Sequence, residues 1–140
     1  MADLSGLIRF RKHQLDEKQK FLAMLYVEAD RLLQEKEVVL GDIEREKNAF
    51  EDPEFVAFTA ISSFGHFLKA SKKKIQDIEQ RERTLDTRIQ IAMNDMREGF
   101  ADFKKVEITH KRRLEAARKK FTERENKVFE EIALNIFRNK

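Results

Sequence analysis

Three histidines, His13, His66 and His110, are the side chains most able to bind a metal or shuttle a proton near neutral pH. They lie far apart in sequence, and none falls in an HExxH pattern, so the spacing offers no zinc site. There is no cysteine, which excludes both a disulfide framework and a thiolate site. Neither GxxxxGK[ST], GxGxxG nor GxSxG occurs, so no phosphate-cradling loop or nucleophile elbow is expected. Carboxylates are abundant, but they alternate with Lys and Arg at helical spacing, as surface ion pairs do. The sequence therefore predicts no enzyme, no catalytic residue, no metal and no cofactor.

The remaining chemistry is charge and apolar surface. Basic clusters fall at residues 72–74, 104–105, 111–113 and 118–120. Residues 104–140 hold 12 Lys/Arg against 6 Asp/Glu, a net of +6, whereas residues 1–103 hold 17 against 20, a net of −3. That asymmetry suits an acidic partner, or else a plain solvated helix face. Nucleic-acid binding would want the basic clusters on one face with aromatics between them, yet Phe121 sits in the apolar stripe and acids are interleaved throughout. No nucleic acid is expected; a curved, lipid-binding coiled coil is a further alternative.

The elements that position these groups follow from periodicity. Alternate steps of four and three from Leu4 reach Ile8, Arg11, Leu15, Lys18, Leu22, Leu25, Ala29, Leu32, Lys36, Val39, Ile43, Glu46 and Phe50. Ten of these fourteen are apolar, a heptad seam. A second seam runs through Leu68, Ser71, Ile75, Ile78, Glu82, Leu85, Ile89, Ala92, Met96, Gly99, Phe103 and Val106. Its register then slips through His110 by two steps of four, a stutter, before Leu114, Ala117, Phe121, Val128 and Ile132. Asp52 and Pro53 suit an N-cap and a first helical position. The prediction is an all-α single domain over 1–140, a long antiparallel two-helix coiled-coil hairpin with unequal arms. Helix one covers about 3–50, the turn 51–52 and helix two about 53–137.

At 1.5 Å per residue helix one is ~70 Å long and helix two ~130 Å. A turn near 52 sets residue 36 opposite roughly 68 and residue 4 opposite roughly 100. Residues beyond about 104 then lack an intramolecular partner while keeping apolar positions. Such a stripe docks another protein, pairs with a second copy, folds back or frays. Seven acids between Glu28 and Glu46, opposed to three bases, are expected to face Lys72, Lys73 and Lys74. The phenylalanine-rich stretch EDPEFVAFTAISSFGHFLKA at 51–70 opens helix two. Its rings either meet a partner or pack with Phe50 as an aromatic cap. No apolar run approaches the ~20 residues of a membrane span, and MADLSGLIRFRKHQ is no secretory signal, so a cytoplasmic protein is expected.

In combination, LIRFRKHQLDEKQKFLAMLYVEADRLL, ISSFGHFLKASKKKIQDIE and KRRLEAARKKFTERENKVFEEIALNIFR resemble the FliJ family of flagellar type III export proteins, over nearly the whole chain. The closing EEIA at 130–133 resembles that family's acidic–aliphatic–alanine ending. The resemblance implies a stalk-like coiled coil of the protein export apparatus used in bacterial flagellum biogenesis and motility. Its implied partners are the hexameric export ATPase FliI, the export gate protein FlhA and export chaperones. Its implied place is cytoplasmic, peripherally associated with the inner-membrane export apparatus. Phe67 and Leu68 match the family's gate-contacting Phe–aliphatic pair. Ser71 stands where the family has a leucine; an alternative register with Phe64 and Leu68 restores it. The gate set this suggests is Ile61, Phe64, Phe67, Leu68, Ser71 and Ile75. For the ATPase ring, the candidates are Leu7, Ile8, Arg112, Arg113, Lys119, Lys120, Phe121, Phe129, Ile132, Ile136 and Phe137. An injectisome stalk, a rotary-ATPase-type central stalk and a self-associating structural coiled coil are the alternatives.

Overall fold

A computed structural model describes residues 3–51 and 58–139. The described chain is all-α, two long helices packed antiparallel: α1, Ser5–Phe50, and α2, Phe58–Arg138. The expected cap at Asp52 and Pro53 lies outside the described residues. The α1 N-terminus has a cap the sequence reading did not single out. The Asp3 carboxylate accepts from the Ser5 amide at 3.0 Å and from the Ser5 hydroxyl at 2.8 Å. A side-chain oxygen there satisfies one of the amides that no helical carbonyl can reach.

The chain divides into two compact units, Glu17–Met96, and Met1–Asp16 with Arg97–Lys140. In the first, Leu22, Leu25, Leu32, Ile78, Leu85, Ile89 and Ala92 form the core, with Ala29, Val39, Met93 and Met96 packed on it. All eleven except Met93 are positions of the two heptad seams, because a 3.5-residue period keeps one stripe of each helix facing the other. The polar seam residues have specific partners: Lys36 Nζ lies 3.4 Å from Glu79 and 3.5 Å from Glu82, and Lys18 donates to the Asp95 carbonyl at 3.3 Å. Beside the seam, Arg81 reaches Glu35 at 3.7 Å.

In the second unit Leu15 and Gly99 are buried, and Leu4, Ile8, Phe103, Val106 and His110 are half-buried. Arg11 meets Asp102 at 4.0 Å.

These contacts correct the expected register. Lys36 faces Glu79 and Glu82 rather than residue 68, and Arg11 faces Asp102. The offset follows from the closed end, where Phe50 stacks on Phe64 rather than meeting a residue next to the turn. Each residue of chain between those rings moves the pairing along, and the whole seam follows. The acidic stretch of α1 consequently meets Arg81, and among the described residues Lys72, Lys73 and Lys74 form no ion pair. Intramolecular cover accordingly extends to His110, not to 104; every described residue from 111 to 139 is exposed.

Candidate protein-docking surface

The uncovered segment of α2 is helical as far as Arg138. Its apolar residues are open to solvent: Leu114 57%, Phe121 62%, Val128 54%, Phe129 71%, Ile132 50%, Leu134 54%, Ile136 60% and Phe137 78% exposed. Their spacing is ordered. From Phe103 the steps run three, four, four through Val106, His110, Leu114, Ala117, Phe121, Glu125, Val128, Ile132 and Ile136. That is an eleven-residue repeat, 3.67 residues per turn, which removes the left-handed supercoil a heptad imposes. The stutter is thus the first step of a new period. Phe103, Val106 and His110 are half-buried, and the same column continues uncovered beyond them.

A charged collar precedes the arm. Lys104 donates to Glu107 at 3.1 Å, and Lys111 approaches the same carboxylate at 3.9 Å. The Lys104 hydrogen bond, assisted by the Lys104 and Lys111 charges, holds the Glu107 carboxyl below the usual range against the opposing effect of desolvation. Lys104 Nζ also lies 5.6 Å from the Phe100 ring centroid. Beyond the collar, Arg112 and Lys119 share one helix column and Arg113 and Lys120 the next, since seven residues make two turns. All four are exposed.

The candidate ring contacts do not form one patch. Leu7 is 40% exposed and Ile8 half-buried near the start of α1. Since Arg11 is level with Asp102, Leu7 lies near residue 106. Phe129 is then more than twenty residues further along α2, roughly 30 Å away at 1.5 Å per residue. The basic residues and the stripe from Phe121 to Phe137 do lie together on one uncovered helix.

The candidate gate residues sit at the hairpin seam. Ile61 is exposed, whereas Phe64, Phe67, Leu68 and Ile75 are half-buried and Ser71 is only 4% exposed. Phe64 is stacked on Phe50, and a shallow cleft there is lined by Glu46, Phe50, Ala60, Ser63, Phe64 and Phe67. Ser71 belongs to the packing of α1 on α2, not to an outward face. A small side chain suits that position, where a leucine would have to displace its neighbours.

One exposed apolar patch was missed. Met24 and Val27 are 67% and 70% exposed, and with Lys20, Ala23, Glu28 and Arg31 they line a surface groove on α1. The signal was the run FLAMLYV, in which the seam uses only Leu22 and Leu25. Among the described residues, no group of His, Asp and Glu could hold a metal ion, and no helix is long and apolar enough to cross a membrane. The fold and surface together define a class, an antiparallel two-helix hairpin with an uncovered amphipathic arm. Comparison with protein families, curated proteins and solved structures finds no match to this chain.

Proposed function

We propose that the chain is a non-enzymatic coiled-coil adaptor of a type III protein export apparatus, similar to FliJ. In this reading it links the hexameric export ATPase FliI to the export gate protein FlhA and escorts export chaperones. It acts in the cytoplasm, peripherally at the inner-membrane apparatus. The observation that carries the reading is the uncovered arm, a continuous helix whose residues from 111 to 139 are all exposed and whose apolar stripe is regularly spaced. A helix with such a stripe binds by laying it into a groove or against other helices. The two adjacent basic columns, Arg112 with Lys119 and Arg113 with Lys120, would add long-range attraction to a ring whose channel is acidic. The absence of recognisable catalytic motifs in the sequence agrees with an adaptor role.

The gate contact is assigned to the closed end, at Ile61 and the accessible edges of Phe64, Phe67 and Leu68. Pull-down of the purified chain with the export ATPase and with the gate's cytoplasmic domain tests both contacts. Charge reversal of Arg112, Arg113, Lys119 and Lys120 should weaken ATPase capture, and unchanged capture sinks that assignment. Ile61→Asp, at the exposed residue of this set, should abolish gate capture at unchanged helicity and stability. Unchanged capture sinks the gate assignment.

A further inference from the structure

We propose that the uncovered stripe of α2 recognises itself, so that in the free protein two copies pair antiparallel through residues 111–139. The stripe reads nearly alike in both directions. With the dyad between residues 124 and 125, Ala117 meets Ile132 of the second copy and Phe121 meets Val128, while Leu114 and Ile136 lie one residue out of level at the ends of the stripe. The small Ala117 is matched with a large Ile132, which fills the layer without overpacking. The one polar residue of this stretch, Glu125, falls at the dyad, where Arg124 of the second copy lies opposite. Lys120 and Glu131 lie eleven residues apart, on the same edge of the stripe under the eleven-residue repeat. The two-fold therefore puts Lys120 of each copy on the edge that carries Glu131 of the other, two residues or about 3 Å apart along the axis and within reach of these long side chains. Among the described residues, none of Lys120, Arg124, Glu125 and Glu131 forms an ion pair within its own chain.

Charge also fixes the direction. Residues 111–120 carry six bases and one acid, and residues 121–139 carry three bases and four acids. An antiparallel pair sets the strongly basic half against the slightly acidic one, whereas a parallel pair sets the basic halves together. The near-straight geometry of an eleven-residue repeat lets two such helices lie side by side along the stripe. From Leu114 to Ile136 it runs about 33 Å, enough for a reversible contact at the small end of specific interfaces. The consequence is exclusion: an arm covered by a second copy is closed to any other partner, and a partner must compete with self-pairing. This pairing does not depend on the identity of that partner.

The chain's lack of cysteine allows a clean test on the full-length protein. Sedimentation velocity from about 1 to about 200 µM should show a concentration-dependent dimer. Phe121→Asp should raise its dissociation constant by about tenfold or more, because the charge would be desolvated in the contact. Circular dichroism should not change, since Phe121 is exposed within the chain. Lys120→Glu should weaken the dimer and Lys120→Glu with Glu131→Lys should restore it. On mild oxidation Glu125→Cys should cross-link to itself, Ala117→Cys should not, and Ala117→Cys mixed with Ile132→Cys should. A monomer at every concentration, or ready self-cross-linking of Ala117→Cys, would overturn the proposal.

Discussion

The ring of Phe64 lies flat on that of Phe50, with centroids 4.8 Å apart and planes 12° from parallel. This stack joins the last residue of α1 to the second turn of α2 and sets which residues face each other along the seam. Phe64→Ala should lower the hairpin's stability by about 1–3 kcal/mol, less than for a fully buried phenylalanine because both rings are half-buried. A double-mutant cycle with Phe50→Ala should give a coupling of about 0.5–1.5 kcal/mol in denaturant melts. Additive effects would mean that the rings do not stack in solution.

The covered seam and the uncovered arm should respond differently to the same kind of change. Leu25 and Leu32 are each 3% exposed, so either Leu→Ala should cost about 2–5 kcal/mol. Phe121 and Phe129 contact no core, and truncating either should move the stability of the monomer by less than about 0.5 kcal/mol. Thermal melts at low protein concentration measure both.

Lys36 occupies a seam position and lies within ion-pair distance of Glu79 and Glu82. The Glu82 oxygen on this side accepts no hydrogen bond, so Lys36 balances its charge without fully satisfying it. Lys36→Glu should destabilise the hairpin by about 1 kcal/mol, kept modest by the partial exposure of all three groups. Lys36→Met should be near neutral in stability but relax the register, since a polar residue in a seam selects alignment. Distances between spin labels on α1 and α2 would read a register change directly.

Asp3 supplies the pH dependence at the α1 start. The hydrogen bond from the Ser5 amide, then that from the Ser5 hydroxyl, holds its carboxyl below the usual carboxylate range, with smaller help from the charges of His110 and Arg9. A lowered folded value means the cap is at full strength above the ordinary carboxylate range and is lost as pH falls through the folded value. Hydrogen exchange at the Ser5 amide should show protection that disappears on acidification, and Asp3→Ala should remove that dependence.

Much of the fold was legible in the residues themselves. Both heptad seams lie where the period of Leu, Ile and Val put them, because burying a stripe on a helix leaves its spacing in the sequence. The register was not legible, since a heptad seam fits its partner nearly as well after a slip of whole heptads. The Phe50 to Phe64 stack breaks that tie, and no periodicity predicts it. The arm's existence was legible from the unequal helix lengths, though its start moved from 104 to 111 with the register. Ser71 looked like a departure from a contact motif and is instead a small residue packed between the helices.

Docking of the export ATPase on the exposed arm of α2 is the proposal on which the functional reading rests. The most direct measurement is capture of the purified ATPase hexamer by the full-length chain and by its Phe129→Asp, Ile132→Asp double variant. Helicity and stability should match between the two, because both side chains are at least half exposed. Under that proposal the unaltered chain should capture the hexamer strongly and the variant should lose capture. Capture equal for both, or none by the unaltered chain, would contradict it.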